Sequence, residues 1–94
     1  MSLLSLAIQS YDDTVRLYNE NLKRKHKALE LYIEARRDYE RACATDSTFK
    51  SLLNEIKHDA ALDFVAMSRI AAEGLAAVDH ATQQIELVRC LERT

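Results

Sequence analysis

The residues best suited to chemistry are Glu55 and His58, which form a Glu-x-x-His pair. On an α-helix these two side chains lie on the same face, and di-iron helical bundles take metal ligands at this spacing. Such a site needs the motif twice, with further carboxylates, and the sequence has it once. His26 and His80 add no spacing typical of a zinc finger. The sequence therefore predicts no metal and no cofactor, with a metal-binding helical bundle, formed by dimerisation around this pair, as an alternative.

Other catalytic signatures are missing from the sequence. Gly74 is the single glycine, so there is no glycine-rich phosphate loop and no nucleophile elbow. The serines do not lie at a helical spacing from both a histidine and an aspartate. We predict that the protein is not an enzyme and has no catalytic residues.

A run of basic residues extends from Lys23 to Lys27. Its candidate basic patch, Lys23, Arg24 and Lys27, could contact a phosphate backbone or an acidic protein. Since a helix distributes consecutive residues around its circumference, we expect the run to be spread out and solvated rather than to form one patch. The net charge of −2 gives no overall attraction to nucleic acid. Nucleic-acid binding is therefore a weak alternative.

The first half of the chain carries two rows of residues that repeat every seven positions and predict a helix with one packing seam. One row contains Ile8, Val15, Leu22, Leu29, Arg36 and Cys43, and the other contains Leu4, Tyr11, Tyr18, Lys25, Tyr32 and Tyr39. The absence of proline and the single glycine favour long helices.

A short polar segment divides this helix from a second one. We predict a helix over about residues 3–43 with Ser2 as its N-cap, a turn over 44–48, and a helix over about 49–92 capped by Asp46 or Ser47. Gly74 is a candidate kink, and the apolar spacing slips in phase at Ala60. The predicted seam of the second helix is Phe49, Leu53, Ile56, Ala60, Phe64, Met67, Ala71, Gly74, Val78, Ala81, Ile85 and Val88.

A short turn makes consecutive helices antiparallel, so the predicted fold is all-α, an antiparallel two-helix coiled-coil hairpin forming one domain over residues 1–94. In this register residue i lies roughly opposite residue 92 − i. Large residues then face small ones: Tyr18 faces Gly74, Tyr11 faces Ala81, Tyr32 faces Ala60 and Leu22 faces Ala71. The two charged seam positions are expected to form ion pairs at the rim, Arg36 with Glu55 and Asp59, and Lys25 with Asp63.

Several large apolar residues fall outside the predicted seam. Because exposed apolar stripes usually bind a partner, the sequence predicts a helical interaction or scaffold subunit that docks on partner helices. The alternatives of pairing into a homo-oligomeric four-helix bundle and of joining a larger complex use the same stripe. The predicted partner-binding stripe is Leu3, Leu17, Leu31, Ile70, Leu75, Leu87 and Leu91.

The two cysteines, Cys43 and Cys90, are expected near opposite ends of the hairpin and therefore not to pair. We predict small buried or half-buried thiols in a reducing intracellular compartment, the cytoplasm or nucleus, with intermolecular bridging as the alternative. No apolar run is long enough to predict a membrane span. The apolar start, Met1 to Ile8, lacks basic residues and is not typical of a signal peptide or presequence.

The order of elements around the turn resembles the Required-for-excision-1-B domain family. The matching residues are Tyr39, the segment 49–56 that opens on Phe49, and the Phe-x-x-x-Ser segment 64–69. The resemblance extends over about residues 15–94. It implies a small eukaryotic helical protein that acts as an accessory factor in DNA excision repair, and it implies no catalytic residues.

Overall fold

The computed structural model describes residues 2–93, which form two helices, α1 at Leu3–Thr45 and α2 at Lys50–Arg93. The predicted all-α helical hairpin is confirmed. Each observed helix end lies within two residues of its predicted position. Met1 and Thr94, the first and last residues of the predicted domain, lie outside the described residues.

A serine hydroxyl accepts a hydrogen bond from one of the free backbone N–H groups at the start of each helix. Ser2 Oγ accepts a hydrogen bond from the Ser5 backbone N–H at 3.1 Å, which confirms the predicted N-cap of α1. Ser47 Oγ accepts one from the Phe49 backbone N–H at 3.2 Å and caps α2 in the same way.

Asp46 ends α1 in the left-handed conformation, with a φ of 52°. The Ser47 N–H donates to the Ala42 carbonyl at 2.9 Å, and the Asp46 N–H donates to the Cys43 carbonyl at 3.4 Å. This pair of bonds is the Schellman motif, in which glycine is the usual left-handed residue and aspartate is tolerated. The turn therefore satisfies carbonyl groups at the end of α1 without a glycine.

The residues of the two helices group into two compact units. The first unit contains α1 up to Leu22 and α2 from Ile70, and the second contains Lys23–Arg69 with the turn. Each unit pairs one segment of α1 with one segment of α2.

The buried residues of both units are small. Ala71 and Ala81 are buried in the first unit together with Asn21, and Ala28, Ala35 and Ala42 are buried in the second. No large side chain in residues 2–93 is fully buried. Small side chains at every seventh position let two helix backbones approach closely.

The seam of α1 differs from the predicted one. The tyrosine row is half-buried as expected, but its companion is the row of small residues, not the row that begins at Ile8. In that predicted row Ile8, Arg36 and Cys43 are exposed, and the other three are half-buried beside the seam. The observed companion row is Ala7, Thr14, Asn21, Ala28, Ala35 and Ala42, of which Ala7 and Thr14 are half-buried.

The seam of α2 keeps an unbroken heptad spacing. Lys57 is half-buried, whereas Ile56 and Phe49 are 47% and 65% exposed. The Lys57 Nζ atom lies 4.2 Å from the centroid of the Tyr39 ring, a cation–π contact within the second unit. The apolar spacing predicts a phase slip at Ala60 because it counts Ile56 as a core residue. With Lys57 in the seam there is no slip, so that prediction is wrong. The predicted core positions of Ile56 and Phe49 are wrong as well.

The predicted ion pairs across the seam are also wrong. Arg36 Nε donates to Glu40 Oε1 at 3.0 Å, one turn further along α1. Lys25 is half-buried and forms no ion pair within residues 2–93. A partner one helical turn away is already positioned by the helix, so it needs less side-chain ordering than a partner on the other helix.

Gly74 confirms the predicted register in the first unit. A Cβ atom placed on Gly74 would lie 3.1 Å from Tyr18 Cδ1 and 3.7 Å from Tyr18 Cα. The α2 helix runs through this position without interruption, so Gly74 does not divide it. The glycine provides room for the tyrosine on the facing helix.

Candidate interaction surface

The large apolar side chains of this hairpin lie mainly on its outside. Within residues 2–93, fifteen Leu, Ile, Val and Phe residues are at least 38% exposed, while every buried apolar residue is an alanine. In a globular protein leucine and isoleucine usually fill the core, whereas the large seam residues of this hairpin, Leu53 and Phe64 among them, are only half-buried. Large contiguous apolar surface is typical of interaction sites.

All seven residues of the predicted partner-binding stripe are exposed, by 40% to 65%. Leu3, Leu17 and Leu31 share the heptad row that flanks the alanine row of α1. In an antiparallel pair of helices, equivalent flanks lie side by side.

On α2 the stripe residues do not share one flank. Ile70 and Leu91 occupy the flanking row that matches the Leu17 row of α1 in the first unit. Leu75 lies in the row on the other flank, and Leu87 lies further round the outer face. The predicted stripe therefore divides into two surfaces, with Leu75 on a different flank of the hairpin from Ile70 and Leu91.

In the second unit a shallow groove of about 310 Å³ runs between the helices on the Leu31 side. Its floor is made by the small residues Ala35 and Ala60, and its walls by Leu31 and Ile56. Two carboxylate residues, Glu34 and Asp38, complete the lining. The groove is an apolar strip with charge at its edge, which suits a helix as a binding partner.

Sequence reasoning missed four exposed apolar residues of α2 in the second unit. Leu52, Ile56, Leu62 and Val65 are 47% to 57% exposed. The apolar spacing predicts Ile56 as a seam residue and predicts no role for the other three. The signal that could have found them is Lys57. A row that repeats every seven residues and includes this lysine places all four apolar residues outside the seam.

The three residues of the basic patch lie together on one face of α1. Lys23, Arg24 and Lys27 are all exposed, and their spacings of three and four residues make them neighbours on one face of α1. Lys25 lies in the tyrosine row of the seam, on another face. The sequence predicts that the basic run is spread around the helix. That prediction is correct for Lys25 and wrong for the three patch residues.

Glu55 and His58 are exposed on the outer face of α2. Within residues 2–93 no three His, Cys, Asp or Glu side chains are grouped closely enough to hold a metal ion. A site at this pair would need ligands from outside the hairpin.

The two thiols, Cys43 and Cys90, are free and exposed, so the expectation that they are buried or half-buried is wrong. A side-chain hydrogen bond with Cys43 raises the pKa of the Tyr39 phenol, and the charge of Cys43 and burial act in the same direction. The Tyr39 ring thus packs under the Lys57 ammonium group, and its hydroxyl contacts Cys43. Because its pKa is raised, the hydroxyl loses its proton only at a higher pH than a free tyrosine does.

Neither α1 nor α2, as described, has an apolar stretch that would let it span a bilayer. Comparisons of the chain with models of protein families, with curated proteins and with solved structures gave no match. The likeness to the Required-for-excision-1-B domain family therefore stays a prediction.

Proposed function

We propose that this protein is a non-enzymatic helical scaffold subunit that docks on partner helices through its exposed apolar rows. One observation carries the proposal: in the part of the chain that the structure describes, the buried apolar residues are alanines while fifteen large apolar side chains are exposed. Selection for a stable isolated hairpin would favour the opposite distribution.

The energies of burial favour docking. Fully burying a leucine or isoleucine side chain contributes about 1.5 to 3 kcal/mol, whereas one methyl group contributes about 0.8 kcal/mol. The five buried alanines therefore contribute little compared with what the outer leucines would contribute on a partner. Leu17 is 56% exposed and Leu31 is 49% exposed. A partner that buried only these two side chains would gain several times the burial free energy of one alanine methyl group.

We place this function in a reducing intracellular compartment, the cytoplasm or the nucleus. Both cysteines are free and exposed, and oxidising compartments tend to convert exposed thiols to disulfides. The location can be tested by imaging the tagged protein.

Changing Leu17 and Leu31 to aspartate should abolish partner binding and leave helicity unchanged. Both side chains are exposed, so the charges cost little in the free chain but are buried without a counter-ion in a complex. The measurement is quantitative mass spectrometry of proteins captured from native cells by the tagged chain, with circular dichroism as the folding check.

The matched control is Ala76→Asp, at an exposed position on the outer face of α2 that is not one of the large apolar residues. Partner capture that persists in the Leu17→Asp, Leu31→Asp variant would contradict the assignment of these rows. Equal losses in the double variant and in the control would point to a general effect of added charge.

An accessory role in DNA excision repair is a second candidate, because the exposed basic residues share one face of α1. Lys23, Arg24 and Lys27 can each neutralise one DNA phosphate. Changing all three to glutamate should then reduce the slope of log affinity for duplex DNA against log salt concentration by about 2 to 3. The measurement is a DNA titration at four salt concentrations. An unchanged slope would exclude this patch as the DNA contact.

A further inference from the structure

We infer that the helix docking on the groove of the second unit is α1 of a second copy of this chain, packed antiparallel with Leu31 at the two-fold axis. This inference rests on the proposed function, since it names the partner of one exposed apolar row. Support comes from the order of charges around Leu31, the groove beside it and the exposed surface area.

The exposed charges around Leu31 are arranged for self-association. Arg24 and Lys27 lie on its amino-terminal side, and Glu34 and Asp38 lie on its carboxy-terminal side. Arg24, Leu31 and Asp38 occupy one heptad row, and Lys27 and Glu34 occupy the neighbouring outer row. All five side chains therefore lie on one side of α1.

A two-fold axis at Leu31 brings opposite charges together. Antiparallel packing reverses the order of residues, so Arg24 lies opposite the second copy's Asp38. Lys27 then lies one residue from the level of the second copy's Glu34, within reach of its carboxylate. In an isologous interface each of these pairs occurs twice. The same surface on both chains is thus complementary to itself, a property that docking on an unrelated helix would not require.

These charges are available to a partner. Within residues 2–93, Arg24, Lys27 and Glu34 take part in no ion pair. Asp38 Oδ1 accepts from Arg41 Nη2 at 2.5 Å, which leaves its second carboxylate oxygen for another donor. The second copy would add charge-assisted contacts and break none that the hairpin makes.

The apolar centre of this surface fits a helix. Leu31 is 49% exposed and Ile56 is 47% exposed, and both border the groove whose floor is Ala35 and Ala60. Alanine at the floor lets the second helix approach, and the two larger residues provide the surface that its Leu31 covers.

The chain has enough exposed surface for a second copy to cover. It exposes 7121 Å², whereas a globular protein of the same mass exposes about 5,500 Å². The difference of about 1,600 Å² is larger than the roughly 800 Å² that each partner buries in an interface of standard size.

Charge reversal tests the two-fold arrangement directly. Lys27→Glu and Glu34→Lys should each weaken dimerisation about tenfold, because each places like charges opposite one another twice. The chain carrying both changes should dimerise as the unchanged protein does. An equimolar mixture of the two single variants should also dimerise, as a heterodimer. Sedimentation equilibrium over a range of protein concentrations measures all four samples.

The control pair is Lys23→Glu and Glu30→Lys, which have the same seven-residue spacing on the back of α1 and should leave dimerisation unchanged. Leu31→Asp should give a monomer. If that variant loses helicity, the charge variants still decide the matter, since their side chains are all exposed.

A monomer at all concentrations, or single variants that neither recover in the double variant nor pair with each other, would overturn the two-fold arrangement. A monomer that captures cellular partners through Leu17 and Leu31 would overturn only the second copy as occupant. A monomer that captures no partner would overturn the proposed scaffold function as well.

Discussion

Replacing Ala28 with leucine is expected to lower the free energy of unfolding by about 2 to 3 kcal/mol. Ala28 is 4% exposed and lies in the small-residue row of the α1 seam. Leucine adds three carbon atoms where the two backbones approach closely, and position 28 does not line the groove of the second unit. The helices must then separate or the side chain must adopt a strained rotamer.

Urea unfolding followed by circular dichroism measures this loss. All variants must be compared at one protein concentration, because a dimer's apparent stability depends on it. The matched control is Ala66→Leu, at an exposed position of α2 in the same unit, which should change stability by less than about 0.5 kcal/mol. Equal losses in the two variants would mean that Ala28 is not at a close helix contact.

The Ala28 result would test the part of the fold that the sequence did not reveal. A period of seven residues predicted two helices and a seam, and the tyrosine row was identified correctly. The companion row was wrong because sequence reasoning seeks the largest apolar residues, and leucines beside the seam outweigh alanines within it. Recurrence at Ala28, Ala35 and Ala42 was visible, but alanine is common on both faces of helices.

Lys57 shows a second limit of reading hydrophobicity alone. Placing Ile56 in the core required a break in the heptad spacing, whereas placing Lys57 there required none. The lysine is accommodated because its alkyl chain packs at the seam while its ammonium group lies over the Tyr39 ring. An unbroken spacing was the better guide, since one charged residue disturbs a coiled coil less than a change of phase does.

The candidate surface was predictable in kind and only partly in place. Residues outside the seam were correctly expected to be exposed, as Leu3, Leu17 and Leu31 are. Their grouping depends on which rows form the seam, so the error in the companion row carried over to Leu75. The symmetric order of charges around Leu31 indicates a partner only in combination with the groove, which shows that this side of α1 is exposed.

Replacing Gly74 with leucine is expected to destabilise the first unit by about 2 to 3 kcal/mol, whereas alanine should change stability by less than about 1 kcal/mol. A Cβ at this position would lie 3.1 Å from Tyr18 Cδ1, so alanine needs a small shift of the ring. The higher helix propensity of alanine, about 1 kcal/mol above glycine, offsets that shift. Leucine places three more carbons against Tyr18, which the ring cannot avoid while the helices stay in contact.

A double-mutant cycle separates this contact from a general effect of a larger side chain. Tyr18→Ala alone should cost about 2 to 4 kcal/mol, because it removes a half-buried ring. Combined with Gly74→Leu, the loss should be at least 1 kcal/mol smaller than the sum, since the leucine then fills the space of the ring. Ala72→Leu, at an exposed neighbouring position, should be close to neutral. Additive losses in the cycle would mean that Gly74 and Tyr18 do not pack together, and the register of the first unit would then be wrong.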